Sequence, residues 1–357
     1  MSSTVVASME SPQSEACQRT AQQLSGRSQM GRLSGIEISA MGSYVPNQVI
    51  ANDDLAALGC DSEWIVQRTG ILERRRAAPD QASSDLAYEA AIRCLNQAHV
   101  SPSEVDLIVV ATITSDHAAP STACHLQRRL GCIAPAMDVN AACAGFMYAL
   151  VTAGQFVASG SARCALVVGS EVMSRIVNPK DIKTYPLFGD GAGSVLLRPS
   201  EDPARGLSSY TLGAEGCGGQ MLCIPGSGSR LPFTPETLLN GDHLLRMEGR
   251  TVFKWAVRVV EDSIRDCLCH ADLDVADLDL LILHQANIRI IDAAVADFNL
   301  DREKVFVNVS RYGNTSAASI PLALDEAYRA GKIQPGHKVL LAGFGAGLAW
   351  GTAIVQF

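Results

Sequence analysis

Two strand-like segments of this chain recur at one spacing, and that recurrence limits the possible folds more than any other feature. Val105-Asp-Leu-Ile-Val-Val returns 173 residues later as Leu278-Asp-Leu-Leu-Ile-Leu, and Ala165-Leu-Val-Val-Gly-Ser returns at the same offset as Lys338-Val-Leu-Leu-Ala-Gly. Each is a short aliphatic run of the kind that is buried on both faces of a sheet. Two matches at a shared offset point to duplication of a single α/β unit. Helical segments lie between the runs: Ser84 to Leu95 opens on capping residues and keeps helical spacing, and Ser121 to Leu130 reads as another helix. Strands alternating with helices in two related halves predict a layered α/β fold.

The halves are placed at 35–200 and 243–357, joined by Gly-, Pro- and Ser-rich excursions over 201–242. Residues 1–34 are rich in Ser, Gln and Ala, with no continuous apolar stretch of the sort a secretory signal needs. Glu10 and Glu15 weigh against an organellar transit peptide. A disordered extension is expected there, or a start placed too early, since Met30 also begins a plausible chain.

A formal net charge of −8 argues against nucleic acid as a bulk electrostatic partner, because phosphate contacts need clustered Lys and Arg. The longest apolar runs are strand-length and well short of a membrane span, so no membrane partner is expected. The 11 Cys are scattered, odd in number and without metal-ligand spacing; free thiols in a reducing, cytoplasmic compartment are expected, and no metal.

Three stretches carry candidate chemistry. In Asp138-Val-Asn-Ala-Ala-Cys143-Ala-Gly-Phe-Met-Tyr-Ala-Leu150 a Cys stands where an apolar, small-residue helix begins. A helix start offers unpaired N–H groups and a positive dipole end, which favour thiolate over thiol. Cys is also among the most buried residue types, so alone it reads equally well as a small core residue. Leu280-Leu-Ile-Leu-His284-Gln-Ala-Asn287 ends a buried strand on a His, at the edge where ligand groups gather in α/β folds. Gly313-Asn314-Thr-Ser-Ala-Ala-Ser precedes a second small-residue helix, in the place of the Cys143 turn, although it is also good N-cap chemistry. Gly343-Phe-Gly-Ala346-Gly-Leu-Ala-Trp-Gly351 lacks the Lys of a phosphate loop and reads as a turn with amides facing a pocket.

These stretches, with Phe188-Gly-Asp-Gly-Ala-Gly and Trp64-Ile-Val-Gln-Arg-Thr-Gly, closely resemble β-ketoacyl-acyl-carrier-protein synthase III, from about Ile36 to Phe357. The resemblance implies the thiolase-like duplicated αβαβα fold, a homodimer, and decarboxylative condensation of an acyl-CoA primer with malonyl-acyl carrier protein, without metal or redox cofactor. It implies Cys143 as nucleophile, with His284 and Asn314 as donors to the enolate, and the amides of Cys143 and Ala346 as the oxyanion hole. Trp64, Arg68 and Thr69 would meet the CoA end, and Gly249 and Asn287 the pantetheine arm. Lys254, Gln285 and Arg289 would receive the acidic carrier protein.

The chain departs from the family pattern at several positions. Many members have Gly at Ala346, a change that leaves the amide in place. Asp181-Ile182-Lys183 stands where many have an Arg against the CoA adenine, and Ala296-Asp297 where bacterial relatives can carry Lys-Lys. His117-Ala-Ala119-Pro120 has Ala119 where acetyl-preferring relatives have a Phe that the partner subunit inserts to close the acyl pocket, so longer acyl primers are expected. Two other readings stay open: a synthase III-like secondary-metabolite condensing enzyme or acyltransferase, and a non-catalytic acyl-binding scaffold.

Overall fold

The computed structural model describes residues 28–357. In chain order its strands are β1 (Gln29–Ser34), β2 (Ile36–Tyr44), β3 (Gln48–Ala51), β4 (Glu73–Arg76), β5 (Leu107–Ala111), β6 (Ala136–Val139) and β7 (Ala165–Glu171). They continue as β8 (Gly191–Pro199), β9 (Gly206–Ala214), β10 (Leu222–Cys223), β11 (Arg246–Met247), β12 (Leu280–Leu283), β13 (Lys338–Gly345) and β14 (Ala349–Gln356). The helices are α1 (Ser62–Thr69), α2 (Ser83–Ala98), α3 (Thr122–Leu130), α4 (Gly145–Ala158) and α5 (Pro235–Leu239). After them come α6 (Gly249–Ala271), α7 (Ile288–Val295), α8 (Val309–Tyr312) and α9 (Ser319–Arg329).

Two five-stranded sheets carry the fold, ordered β2-β8-β7-β5-β6 and β1-β9-β14-β13-β12. β5 runs parallel to β7, as β12 does to β13, and β8 and β14 lie antiparallel beside them. Four strands of each sheet therefore correspond in order, β2-β8-β7-β5 and β9-β14-β13-β12. At the place of β6 the second half has only a parallel bridge from Leu281 to Val305. The helices α4 and α9 lie between the sheets. Phe146, Leu150 and Val157 share one buried cluster with Ile320 and Leu324, with Val109 and Val167 of one sheet and Ile282 and Leu341 of the other. A helix enclosed on all sides must be apolar all round, which explains why α4 shows no polar face. Outside the first sheet, Ala87, Ala91 and Leu95 of α2 and Leu126 of α3 cover Ile108 and Leu166. On the far side, Val260 and Ile264 of α6 and Ile291 of α7 cover Leu281 and Leu340. The layers run αβαβα, as expected.

The duplication extends to local hydrogen bonds. Ser101 N–H donates to Glu104 at 2.8 Å ahead of β5, and Asp274 N–H donates to Asp277 at 2.8 Å ahead of β12. Asp106 accepts from Cys164 N–H, and Asp279 from Lys338 N–H, each tying the start of one parallel strand to its neighbour. The halves also wedge into each other. A Cβ on Gly169 of β7 would lie 2.2 Å from the carbonyl oxygen of Ala317, and one on Gly343 of β13 would lie 3.2 Å from the Cα of Ala144.

Two boundaries need correction. The extension expected over 1–34 ends earlier: Gln29–Ser34 pairs with β9, and Leu33 is buried because its side chain meets the core under α4. The remainder of that expectation, residues 1–27, lies outside the described residues. The segment 201–242 is not only an excursion, because β9 within it is an interior strand of the second sheet. Its inward residues Ser209 and Thr211 are fully buried, and Ser209 is hydrogen-bonded to His270 Nδ1 at 3.0 Å. A strand that turns hydroxyls inward leaves no apolar alternation to read.

Candidate active site

Cys143 lies in a short 3-10 turn, Ala142–Ala144, between β6 and α4. Ala142 takes a left-handed φ of 48°, which turns the chain sharply and leaves the sulfur at the start of the helix. Gly345, at the end of β13, lies flat against it: a Cβ there would be 2.8 Å from both the Cβ and the N of Cys143. Burial pushes the thiol up to about 12, a bond from the Ser316 hydroxyl pulls it down, and the nearby Glu171 carboxylate pushes it up again.

The second half repeats this turn. Asn140 Oδ1 accepts from Ala142 N–H at 3.4 Å, and Asn314 Oδ1 accepts from Ser316 N–H at 2.8 Å; Ser316, like Ala142, is left-handed, at φ 50°. Asn314 thus corresponds to Asn140, and Ala317 stands where the first half has Cys143. The Asn314 backbone is clamped by Leu187 O at 2.8 Å and Gly189 N at 3.0 Å. With Oδ1 committed to Ser316, the amide group Nδ2 is the end left to donate.

His284 follows β12, with only 1% of its surface exposed. Its N–H reaches Ala342 O at 2.7 Å, and its ring stands edge-on to Phe344, with centroids 5.1 Å apart. Nδ1 lies 2.6 Å from Ser319 Oγ, and that oxygen accepts the Gln285 N–H at 3.4 Å. Nδ1 and the Ser319 hydroxyl thus share a hydrogen bond, in which a ring carrying its hydrogen on Nε2 accepts the serine proton. Burial holds the imidazole neutral, lowering it to about 3.

A cavity of about 730 Å³ opens on Cys143 and Asn314, with Phe344 and Ala346 in its wall and Trp64, Arg68, Lys183 and Arg250 among its lining. The Arg68 guanidinium stacks 4.2 Å from the Trp64 ring centroid.

Sequence comparison places these features in a family. The family profile described as 3-oxoacyl-[acyl-carrier-protein] synthase III matches residues 137–216, and its C-terminal counterpart matches residues 268–357. β-Ketoacyl-[acyl-carrier-protein] synthase III of Rhodopirellula baltica is 60% identical over 345 residues, spanning 92% of this chain and 100% of the relative. The chain belongs to the β-ketoacyl-[acyl-carrier-protein] synthase III family. Its members are thiolase-fold, acyltransferase-type condensing enzymes. The solved synthase III of Thermus thermophilus superposes with a TM-score of 0.84 at 44% identity, covering 90% of this chain and 99% of that one. A priming β-ketosynthase from a polyketide pathway superposes at 0.82 with 35% identity, covering 91% and 97%.

Of the residues expected in a synthase III site, Cys143, Asn314, Ala346, Trp64, Arg68, Thr69, Gly249 and Asn287 all line this one cavity. His284 is not among the lining residues, but its ring packs edge-on against Phe344, which is. Asn287 also has structural duties, since Nδ2 donates to Arg68 O at 3.0 Å and Oδ1 caps α7 through Arg289 N–H at 2.8 Å. Lys254 and Arg289 are exposed, with Arg289 over the Phe253 ring. Gln285 is misassigned as a docking residue: it is 1% exposed, donates to Leu283 O at 2.7 Å and accepts from Asn308 N–H at 2.9 Å. An amide at a buried strand end satisfies the backbone around it and cannot present itself to a partner. Ala119 is exposed on a loop and does not line the cavity of its own chain.

Sequence reasoning missed Ser319, which is hydrogen-bonded to His284 Nδ1, and Glu171 and Ser316, which act on the sulfur. Glu171 carried a signal: a carboxylate closing the apolar run Ala165–Ser170 must find partners or stay protonated.

Proposed function

We propose that this chain performs the initiating condensation of fatty-acid synthesis, joining an acyl-CoA primer to malonyl-acyl carrier protein with loss of CO₂. The observation that carries the reading is the opening of two corresponding turns, one bearing Cys143 and the other Asn314, on a single cavity beside His284. The Cys143 sulfur attacks the primer thioester, CoA leaves as its thiolate, and the acyl group stays on the enzyme. The amides of Cys143 and Ala346 hold the oxyanion, each such donor being worth about 10²–10³ in rate. Malonyl-acyl carrier protein then enters. Nε2–H of His284 and Nδ2–H of Asn314 donate to its thioester carbonyl, so the electrons released with CO₂ collect on a stabilised enolate. The enolate carbon attacks the acyl-Cys carbonyl and expels the Cys143 thiolate, giving 3-oxoacyl-acyl carrier protein. Decarboxylation supplies the drive, and no metal or redox cofactor is invoked.

Trp64 and Arg68 offer a stacked aromatic and cation to the nucleotide end, Lys183 stands beside them, and Gly249 and Asn287 border the pantetheine arm. Lys254 and Arg289 present the cationic surface that an acidic carrier protein needs. The enzyme works as a homodimer: β6 ends its sheet with an unpaired edge, a ready site for a second copy, and the exposed Ala119 loop would then close the partner's acyl pocket. Among the described residues no helix is long and apolar enough to cross a membrane, and free cysteines suit a reducing cytoplasm.

Incubation with acyl-CoA, then malonyl-acyl carrier protein, followed by intact mass, tests the reading. An acyl adduct on Cys143 and a 3-oxoacyl product are expected. His284→Ala and Asn314→Ala should still acylate but release no CO₂; decarboxylation surviving in either would refute the assignment. Likeness to the polyketide priming synthase, with Asp297 and Ala119, favours a second reading as a secondary-metabolite condensing enzyme. A primer panel separates the two, because that reading calls for a narrow choice of specialised acyl groups.

A further inference from the structure

The two corresponding turns are not held with equal firmness. Ala142 N–H lies 3.4 Å from Asn140 Oδ1, beyond the usual range of such a bond, whereas Ser316 N–H reaches Asn314 Oδ1 at 2.8 Å. Both donors belong to residues in the left-handed region, at φ 48° and 50°, which a side chain makes costly. In the second turn a side chain bears that cost. Ser316 is fully buried, and its Oγ–H donates at 3.0 Å to Oε1 of Glu171, a fully buried carboxyl at the C-terminal end of β7 that the condensation leaves unused. The offset of 174 residues that takes Asn140 to Asn314 also takes Ala142 to Ser316 and Glu171 to Gly345. The nucleophile turn therefore lacks both members of this pair, the hydroxyl and the carboxylate.

β7 meets the Asn314 turn at two points. Gly169 passes so close that a Cβ there would lie 2.2 Å from Ala317 O, and two residues on, Glu171 reaches Ser316. We propose that Glu171 is a positioning residue for Asn314: it fixes the Ser316 hydroxyl, the Ser316 amide fixes Asn314 Oδ1, and Nδ2 is thereby aimed into the cavity. The role rests on the condensation reading, in which Asn314 donates to the enolate. Glu171 itself does not line the cavity. Its two oxygens are unequally served. Oε2 accepts Thr114 Oγ1–H at 2.6 Å, Thr112 Oγ1–H at 3.2 Å and Thr114 N–H at 3.2 Å, and the Ile113 N–H, 3.2 Å from each oxygen, is shared. Among the described residues Ser316 is the one unshared donor to Oε1. A proton taken up by the carboxyl settles on Oε1, the poorer oxygen, and turns the Ser316 bond from charge-assisted to neutral, about half as strong.

Burial pushes the Glu171 carboxyl up to about 7 against the pull of these donors, so the anchor is charged above neutral pH and uncharged below it. The groups that face it stay uncharged through that range. The loop after β5 presents Thr112, Ile113 and Thr114, the Asn314 turn presents Ser316, and the nucleophile turn presents Cys143, whose thiol burial holds at about 12. Farther out, Asp116 is bonded to Ser84, Asp190 to Ser174 Oγ and Ala77 N, and Arg175 to the carbonyls of Ala78 and Pro79. Burial keeps His284 neutral. Decarboxylation should therefore follow the Glu171 charge and rise with pH through 7.

Release of CO₂ from malonyl-acyl carrier protein, with primer withheld, and single-turnover acylation from acyl-CoA, read by intact mass, separate the two steps in the full-length enzyme. Wild-type release should rise about 10-fold between about pH 6 and about pH 8. Glu171→Gln should hold release at the low-pH wild-type level with no pH step, while acylation, which the Glu171 charge opposes at the sulfur, should not slow. Glu171→Asp, which keeps a carboxylate there, should restore part of the step. Ser316→Ala should lose the same step, and release in the double variant Glu171→Gln/Ser316→Ala should be no slower than in either single one. A Glu171→Gln variant that releases CO₂ at the wild-type rate and pH profile, or loses acylation and release together, overturns the role. Should Glu171→Gln fail to fold, Ser316→Ala decides by its pH profile, and a wild-type step there overturns the role as well. Asn314→Ala checks the reading beneath it: release surviving in that variant strikes the condensation assignment. Release lost in Asn314→Ala but intact in Glu171→Gln and Ser316→Ala strikes the positioning role alone.

Discussion

At the scale of single residues, the site holds two buried titratable groups displaced in opposite directions. Glu171 is raised from 4.5 to about 7, so between those values the folded chain keeps a proton that the unfolded chain has released. Its contribution to stability is full below pH 4.5 and is lost as pH rises through 7. His284 is lowered from 6.5 to about 3, so its contribution is present above 6.5 and is lost as pH falls toward 3. Replacing Glu171 with Gln removes the first slope and leaves the second. The urea-midpoint advantage of wild type over Glu171→Gln is expected to shrink as pH goes from 4.5 to 7, measured by tryptophan fluorescence; parallel midpoints would mean that Glu171 ionises normally. The residues proposed as reactive were legible because each breaks a local pattern: a Cys among alanines at a helix start, a His closing an aliphatic strand, a Gly-Asn turn. What the sequence concealed is which polar atoms are already occupied. Gln285 beside His284 looks like a second functional amide, and only packing reveals that its carboxamide is consumed by backbone groups from Leu283 to Val309.

At the scale of elements, short helices and strand ends set the distances on which chemistry depends. α1 is capped by Asp61, whose carboxylate accepts the Trp64 N–H at 2.7 Å, and this cap supports the turn that presents Trp64, Arg68 and Thr69. Asp61→Ala should cost about 1 kcal/mol of stability and raise KM for acyl-CoA with kcat little changed, checked by thermal melts and steady-state kinetics. The contact of β13 with the nucleophile turn is less forgiving. Gly345→Ala forces a methyl group onto the Cys143 backbone, and a displacement of about 1 Å there is expected to cost roughly 100-fold in acylation. Acylation at the wild-type rate would show that the turn can yield. β5, β7, β12 and β13 were legible as aliphatic runs because they are buried on both faces. β9 was not, because Ser209 and Thr211 replace aliphatic side chains with hydroxyls, and the partners of Ser209 on α6, His270 and Cys267, are visible only once the helix is in place.

At the scale of the whole molecule, the proposed dimer would set primer choice where its chains meet. In the proposed dimer, Ala119 in place of a ring would leave the end of the partner's acyl pocket open, and each CH₂ buried there would add about 0.8 kcal/mol, roughly fourfold in binding. Medium-length or longer acyl-CoAs should prime faster than acetyl-CoA in initial-rate comparisons, and Ala119→Phe should move the optimum toward acetyl. A sharp acetyl optimum in the unaltered enzyme would contradict this. In the proposed dimer the loop acts on a second copy, so the length preference should also weaken on dilution below the dimer dissociation constant.

The opposed glycines of β7 and β13 have a consequence for how such a molecule could have diverged. Each moiety is the mould against which the other's reactive loop is cast, so neither could drift in shape without spoiling its twin. Side chains were freer to change than the path of the chain. One loop holds a sulfur and the other an alanine at the equivalent point, on turns held by the same hydrogen bond: a division of labour written in a handful of atoms.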